Sequence, residues 1–331
     1  MRLNKLALMG ASISLVWMST PAAAEGPYQL TLAGGAPKGV WSLIGKGIND
    51  ALAAQYPGSS VTYQASAGGG IANIPLVVEN KVPMALATDA AVERAVAGKN
   101  PFRKKYSKLR GLAFIAGWLP MHMIVTKSFA DKYNLKNFAD IARAKPPIRV
   151  TVNRRSNMAA HISLQMFKEI GVTPKDIKSW GGIVVYQPSP GQRDLMLDRR
   201  VDMVSNQLPL KHRVIRQMQK SLDLTLLHID RPLAVKSANI FGLKLYKIPQ
   251  GTYTWQTSEM TAPSLGSTLV TGADLDNKTA YAITKALVEK IGKIHGAHRF
   301  LRQLTKEYLA SLKIVRYHPG AVKYYKEAGL M

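Results

Sequence analysis

The N-terminal part of the chain repeats one local pattern, a strand followed by a turn and a helix. Tyr28–Ala33, Val61–Ala65 and Met84–Ala87 have the alternation or the short apolar run that is typical of strands. After the first of them, apolar residues recur every four positions from Ile44 to Leu52, which is the spacing of an amphipathic helix. This βαβαβα order predicts a parallel sheet whose strands are joined by right-handed crossovers.

The pattern starts again further along the chain and predicts a second α/β unit. We expect strands at Met121–Thr126, Ile148–Val152, Ile183–Tyr186, Val201–Ser205 and Leu224–His228, and helices at Phe138–Arg143, Met158–Ile170, Gln192–Asp198 and Lys211–Gln219. Asp230–Ser264, rich in Pro, Gly and aromatic residues, is predicted to be mostly loop, and Ser267–Thr271 a strand. A long amphipathic helix is expected around Ile283–Ile294 and a last helix from about Gly320.

The two units are not separated by a Ser/Gly linker, so the chain is expected to cross between two lobes by extended strands. The apolar segments Trp118–Val125 and Leu265–Thr271 lie between the two patterns and are the predicted crossings. Lobe 1 then comprises residues 25–117 and 266–331, and lobe 2 comprises residues 118–265.

Length and composition exclude several classes of protein. The 331 residues suffice for about two domains, each with its own core. Hydrophobic residues make up 47% of the chain and charged residues 20%, which excludes disordered and collagen-like chains. Because the chain has no cysteine, it cannot contain a disulfide scaffold, a thiol nucleophile, an iron–sulfur cluster or a cysteine-based zinc site.

The N-terminal residues have the pattern of a secretory signal peptide. Arg2 and Lys5 precede the mostly apolar stretch Leu6–Met18, and small residues of Ala-x-Ala type end at Ala24. The alternative is a membrane anchor, but the apolar stretch is too short to span a bilayer. We therefore expect residues 1–24 to be removed as a signal peptide and a soluble protein to be exported to the periplasm.

Two glycine-rich turns follow the first two predicted strands. Gly34–Gly39 and Gly68–Gly70 would lie at the carboxyl edge of the parallel sheet, where open α/β sheets bind ligands. Backbone N–H groups at the start of the following helices could hold an anion there. Either turn alone is more typical of a tight strand–helix connection than of a binding site, but two such turns after successive strands strengthen the case for a binding site.

Known catalytic and metal-binding patterns are missing from the sequence. It has no G-x-S-x-G, H-E-x-x-H or G-x-x-x-x-G-K-[ST] motif. His295 and His298 could share a helix face, but no further metal ligands are near them in the sequence. Asp89 and His122 are possible acid–base residues, yet neither is paired with a second catalytic group. We expect neither an enzyme nor a bound cofactor or metal.

Basic residues are in large excess along the whole chain. Lys and Arg number 45 and Asp and Glu 20, which gives a formal net charge of +25. The densest basic run, Arg103–Arg110, has neither a recognised nucleic-acid module nor interleaved aromatic residues. The excess therefore indicates a solvated cationic surface that attracts anionic ligands or an anionic membrane, and no nucleic acid is expected as a partner.

A series of short motifs runs along nearly the whole chain. Its members are Ala33–Trp41, Ala67–Asn73, Thr88–Asp89 followed by Ala95, Gly98 and Phe102, Leu269–Thr271, Tyr281–Leu287 and His318–Leu330. In this order they resemble the TAXI family, the extracytoplasmic solute-binding subunits of a class of TRAP transporters. The resemblance implies a two-lobed, type II periplasmic-binding-protein fold with a ligand cleft between the lobes. It also implies a small organic acid or acidic amino acid as ligand and an ion-driven membrane permease as partner.

The residues of the expected cleft depart from the family pattern. Ala33, Ala67 and Gly70 stand where the family has hydroxyl side chains, and Trp41 and Ser42 stand where it has paired tyrosines. The turn Asn153–Asn157 replaces one that is rich in Gly, Ser and Thr. The resemblance therefore predicts the fold and the general role of this chain, but not the identity of its ligand.

The expected ligand site combines residues from both lobes. In lobe 1, backbone N–H groups of the glycine turns would meet a carboxylate, and Trp41 would supply an apolar wall. In lobe 2, either Arg154 or Arg155 would bind a carboxylate, because a planar guanidinium can hold it with two parallel hydrogen bonds. The predicted ligand-binding residues are Gly34, Gly35, Ala36, Trp41, Ser66, Gly68, Gly69, Asn73, Thr88, Asn153, Arg154, Arg155, Ser156, Asn157, Asn206 and Gln207.

The leading hypothesis is a monomeric periplasmic solute-binding protein of a TRAP transporter, which delivers a small carboxylate ligand to a separate permease. One alternative is an exported enzyme on the same two-lobe fold that acts on a small anionic metabolite. Another is a sensing or adhesive surface protein that binds anionic membranes or polymers through its positive charge.

Expression with the native N-terminus tests the export hypothesis. We expect the protein to reach the periplasm and to begin at Glu25, because the small residues before it form the cleavage pattern. Mass spectrometry of the periplasmic fraction measures this N-terminus. A full-length chain retained in the cytoplasm would contradict both the cleavage and the solute-binding hypotheses.

Overall fold

The computed structural model describes residues 26–65 and 69–331 of the chain. The predicted signal peptide (residues 1–24), Glu25 and two predicted ligand-binding residues, Ser66 and Gly68, lie outside these ranges. The described part has a mixed α/β fold, as predicted from the alternation of strands and helices. No helix in these ranges is both long and apolar enough to cross a membrane.

The strands of the described residues are, in chain order, β1 (Gln29–Ala33), β2 (Ser60–Gln64), β3 (Met84–Thr88), β4 (Leu109–Thr126), β5 (Arg149–Val152), β6 (Ile183–Tyr186), β7 (Met203–Gln207), β8 (Leu224–Leu226), β9 (Lys244–Ile248) and β10 (Met260–Gly272).

The helices of the same residues are α1 (Val40–Gln55), α2 (Gly69–Val78), α3 (Asp89–Ala97), α4 (Lys127–Lys132), α5 (Asp140–Ala144), α6 (Met158–Glu169), α7 (Pro174–Ser179), α8 (Ser189–Leu197), α9 (Arg213–Met218), α10 (Arg231–Phe241), α11 (Asn277–Glu289), α12 (Ile291–Ala297), α13 (Lys306–Leu309) and α14 (Pro319–Glu327). A short 3-10 helix spans Arg299–Gln303.

The strands join in one sheet with the order β2-β1-β3-β10-β4-β7-β5-β6. The first three strands are parallel to one another, which confirms the prediction from the βαβαβα pattern. β5, β6 and β7 are also parallel, whereas β4 and β10 run antiparallel to the strands beside them. The two parallel groups are therefore connected by a pair of long antiparallel strands.

The strand β4 belongs to both halves of the sheet. From Leu109 to Pro120 its residues pair with β10, and from Met121 onward they pair with β7 and β8. Almost all of its 18 residues are buried. The chain thus passes from one half to the other as a single strand. The division into lobes near residues 118 and 265 stays a prediction, which this change of partner supports.

The prediction of a mostly loop segment at Asp230–Ser264 is wrong. The segment contains α10 and β9, and β10 already begins at Met260. Pro232 stands in the first turn of α10, where a helix needs no N–H donor, and Gly242 ends that helix at φ 65°. The Pro and Gly residues that suggested a loop therefore mark the ends of regular elements.

The long helix predicted around Ile283–Ile294 is two helices. Lys290, with φ −109° and ψ 28°, separates α11 from α12. The two helices have different main partners, since α11 packs chiefly on α14 and α12 chiefly on α1. Gly47 in α1 lets α1 and α12 approach closely, because a Cβ atom at this position would lie 3.1 Å from the Cα atom of Ile294. Tertiary packing therefore breaks a helix that the apolar periodicity alone would continue.

The start of α14 gives a test of this packing. A Cβ atom at Gly320 would lie 2.2 Å from the carbonyl oxygen of Asn277 and 2.9 Å from the amide nitrogen of Tyr281. We expect Gly320→Ala to lower the free energy of unfolding by about 1–3 kcal/mol. Gly296→Ala in α12, where a Cβ meets open space, should be neutral or stabilising by up to about 1 kcal/mol. Urea unfolding followed by circular dichroism compares them, and equal effects would contradict the close α11–α14 contact.

Candidate ligand-binding site

A cavity of about 60 Å³ lies at the carboxyl ends of β1, β5, β6 and β7. The turn after β1 contributes to its wall, as do the loops after β5 and β6 and residue Leu119 of β4. Its lining residues are Gly35, Ala36, Gly39, Val40, Trp41, Leu119, Asn153, Arg154, Asn157, Pro188, Ser189, Pro190 and Gln207. This is the edge at which open α/β sheets bind ligands.

Part of the predicted ligand-binding set lines this cavity. These residues are Gly35, Ala36, Trp41, Asn153, Arg154, Asn157 and Gln207. The structure thus brings together residues from both predicted lobes that are far apart in the sequence. The indole Nε1 of Trp41 donates to Ser267 Oγ at 2.9 Å, which fixes its ring against β10.

Three other predicted residues, Gly34, Asn73 and Thr88, are not among the lining residues. The Asn73 side chain is fully buried, and its Nδ2 donates to the carbonyl oxygens of Gly34 at 3.0 Å and Leu86 at 2.8 Å. It thereby ties α2 to the ends of β1 and β3. Thr88 Oγ1 accepts from the amide nitrogen of Ala91 as the N-cap of α3. In this structure Asn73 holds the turn in place and Thr88 caps α3, and contact of these residues with a ligand stays a prediction.

Asn206 supports the opposite wall. Its fully buried side chain accepts from Asn153 Nδ2 at 2.9 Å and donates to Gln192 Oε1 at 2.7 Å and to Ser189 Oγ at 3.0 Å. Asn153, which lines the cavity, is therefore held by a chain of side-chain hydrogen bonds. Asn206 acts in this arrangement as a positioning residue for Asn153.

The adjacent arginines Arg154 and Arg155 have different surroundings. Arg154 lines the cavity, whereas the guanidinium of Arg155 lies over the ring of Tyr186, with its carbon 3.8 Å from the ring centre. The next residue, Ser156, accepts a backbone hydrogen bond of 3.2 Å from the nitrogen of Ile71 in α2. This bond joins the loop after β5 to the helix that begins at Gly69, so the two sides of the cavity are in contact.

Tyr63 connects the glycine turn to Arg154. Its hydroxyl oxygen accepts from the amide nitrogen of Gly35 at 2.7 Å. Burial raises the pKa of Tyr63 to about 12, although the bond to Gly35 and the positive charge of Arg154 both act to lower it. The phenol is thus neutral at physiological pH. The sequence analysis missed this residue because its alternation with Val61 and Ala65 placed it on the packed face of a strand.

Helices α1, α6 and α8 begin at the cavity. Gly39 and Pro188, the N-cap residues of α1 and α8, make no side-chain capping bond, whereas Asn157 caps α6. The partial positive charge and free N–H groups at such helix starts attract anions. The predicted start of α8 at Gln192 is too late, because Pro190 fits the first turn of the helix. The sequence analysis therefore missed Pro188–Pro190, although they directly follow β6.

The possible acid–base residues lie outside the cavity lining. His122 is buried, and its Nδ1 lies 2.9 Å from the Pro120 oxygen and its Nε2 2.8 Å from the Tyr253 hydroxyl. Burial lowers the pKa of His122 to about 4, so it is neutral at pH 7. Burial raises the pKa of Asp89 to about 6, opposed by a backbone bond from Gly266. Within residues 26–65 and 69–331, no group of three or more His, Asp and Glu could hold a metal ion.

The chain is similar to a known protein family and to several solved structures. The model of the NMT1-like family matches residues 32–329. No curated protein matches the sequence. A solved periplasmic transporter has a TM-score of 0.55 and 12% identity, covering 92% of this chain and 94% of its own.

Two further solved structures have the same fold. MatC from Rhodopseudomonas palustris with bound malate has a TM-score of 0.55 and 12% identity, covering 92% of this chain and 99% of its own. PhnD1 from Prochlorococcus marinus, in complex with methylphosphonate, has a TM-score of 0.52 and 11% identity, covering 92% of this chain and 100% of its own. At such identities the likeness concerns the fold, which is that of periplasmic binding proteins.

The glycine turn can be tested once a ligand is found by a thermal-shift screen of organic acids. A Cβ atom at Gly34 would lie 2.2 Å from the Tyr63 hydroxyl, so the ring must move and its bond to Gly35 is lost. We expect Gly34→Ala to weaken ligand binding more than tenfold, and Tyr63→Phe, which keeps the ring, to weaken it less. Isothermal titration measures both. Gly292→Ala, in open space, is the control, and unchanged affinity in Gly34→Ala would exclude this turn from the site.

Proposed function

The chain belongs to the NMT1-like family, and we propose on this basis that it is the solute-binding protein of a membrane transporter. The observation that carries the proposal is the cavity at the carboxyl ends of β1, β5, β6 and β7. It is lined by Arg154 and by residues at the starts of three helices, and none of its lining residues is acidic. A site with this charge favours a small anion.

Arg154 is the proposed anchor for a carboxylate. Its guanidinium can form two parallel hydrogen bonds to the carboxylate oxygens, and Asn153 and Asn157 stand beside it with further polar groups. Arg155 is the poorer candidate in this loop, because its guanidinium lies over the Tyr186 ring. The N–H groups at the start of α1 would meet a second anionic or polar group of the ligand.

Gln207 indicates what else the ligand carries. Its side chain lines the cavity, and its Oε1 is buried without a hydrogen-bond partner among the described residues. Buried acceptors are nearly always paired in native proteins, so a donor from the ligand would complete this site. The proposed ligand is therefore a small organic acid with a hydroxyl or amino group, and the cavity of about 60 Å³ favours a short one.

The similar proteins support an anionic ligand by analogy only. MatC holds malate and PhnD1 holds methylphosphonate, and both ligands are small anions. The resemblance to the TAXI family adds the finer proposal of a TRAP-type, ion-driven permease as partner and of a monomeric protein in the periplasm. The permease would be a separate protein.

The proposed mechanism is closure around the ligand. The turn after β1 and the loop after β5 would part to admit the solute, and the strands β4 and β10 between them would bend. In the described state the Ile71–Ser156 bond already joins the two sides. A carboxylate held by Arg154 on one side and by the start of α1 on the other would stabilise this closed form.

The enzyme alternative receives no comparable support from the site. Asp89 and His122 do not line the cavity, and both are engaged by buried hydrogen bonds. Incubation of the purified protein with its ligand separates the two functions. A solute-binding protein returns the ligand unchanged in stoichiometric amount, whereas an enzyme would convert it.

The two arginines form a matched pair for testing the anchor. We expect Arg154→Met to weaken binding of the carboxylate ligand roughly ten- to hundredfold, because well-formed charged hydrogen bonds contribute about 1.5–3 kcal/mol. Arg155→Met removes the same charge one residue away and should change the affinity less than threefold. Isothermal titration of each variant, with its ligand-free melting temperature as folding control, decides this. Equal affinities in both variants and the parent would exclude Arg154 as the anchor.

A further inference from the structure

A second cavity, of about 280 Å³, lies on the other face of β4. Trp118 lines it, whereas the next residue, Leu119, lines the candidate ligand site. Successive side chains of a strand point to opposite faces, so β4 separates the two cavities. Trp118 Nε1 donates to the carbonyl oxygen of Phe300 at 2.9 Å, which attaches the 3-10 helix Arg299–Gln303 to this strand.

The lining of this second cavity is cationic. Lys211, from the loop after β7, faces Arg299 and Arg302 of the 3-10 helix across it, and no acidic residue belongs to the lining. Arg299 Nη2 donates to the carbonyl oxygen of Lys211 at 3.2 Å, which brings the two sides together. In the part of the chain that the structure describes, none of these three side chains forms an ion pair.

His212 and His298 lie next to residues of this lining in the sequence, and burial together with nearby positive charges lowers the pKa of both. Burial, and then the charges of His298, Arg213 and Arg216 among others, lowers the pKa of His212 to about 3. Burial, Arg299 and Arg216 likewise lower the pKa of His298. No carboxylate is among the groups that act on either imidazole. The positive charge around the cavity is therefore not balanced by neighbouring acidic residues.

We propose that this second cavity binds a multivalent anion, of the phosphate or polycarboxylate class, independently of the transported solute. Guanidinium groups bind both kinds of oxyanion with paired hydrogen bonds. Trp118 and Phe300 supply apolar walls, beside which the attraction between opposite charges is stronger than in bulk water. Because Lys211 and the two arginines come from different elements, an anion with two or more charges can bridge the loop after β7 and the 3-10 helix.

Pyrophosphate and citrate are the probes for this site, each titrated calorimetrically into the full-length mature protein at low ionic strength. The titration is made on the Arg154→Met variant, so that binding in the proposed solute site is weakened and contributes less to the measured heat. We expect one of the two anions to bind, and its identity distinguishes the phosphate from the carboxylate class. Arg299→Gln combined with Arg302→Gln should weaken this binding at least tenfold.

A control removes the same charge elsewhere. Arg103→Gln combined with Lys105→Gln, in the exposed run before β4, should change the affinity less than twofold, and melting temperatures verify the folding of each variant. An equal loss of affinity in both double variants would show that the anion is held only by general charge attraction, which would overturn the proposal. Absence of binding by both anions, or binding only of an acidic polypeptide such as polyglutamate, would also overturn it.

Discussion

One strand, β4, is shared by the two halves of the sheet, and the rest of the structure depends on this sharing. Its backbone hydrogen-bonds to β10 as far as Pro120 and to β7 and β8 beyond it. The pattern of alternating side chains then places Leu119 in one cavity and Trp118 in the other. Because the strand is continuous and buried, the two parallel groups of strands are joined without a flexible linker.

The sharing also explains why polar groups from distant parts of the chain meet. β1 of the first parallel group and β5 and β7 of the second end near the same place, so the turn at Gly35, the loop at Arg154 and the end of β7 at Gln207 surround one space. These groups are positioned by hydrogen bonds within the protein: Tyr63 holds the first turn and Asn206 holds Asn153. A ligand would therefore find most of its partners already in place, which lowers the entropy cost of binding.

Much of this arrangement could be predicted from the sequence, for reasons that are local. The periods of strands and helices depend on neighbouring residues, so β1, β5 and α1 were recognisable, and glycine turns mark the carboxyl ends of strands. Helix boundaries and side-chain orientations that depend on packing could not be predicted in this way. Prolines in first turns concealed α10 and the start of α8. The choice between Arg154 and Arg155 depends on Tyr186, which lies on a different strand.

The most direct test is a crystal structure of the protein with a ligand identified by thermal-shift screening of hydroxy and amino acids. The proposed function predicts an intact ligand between the turn after β1 and the loop after β5, with a carboxylate within hydrogen-bond distance of the Arg154 guanidinium. A ligand ordered elsewhere with this cavity empty, or a reaction product in place of the ligand, would contradict it.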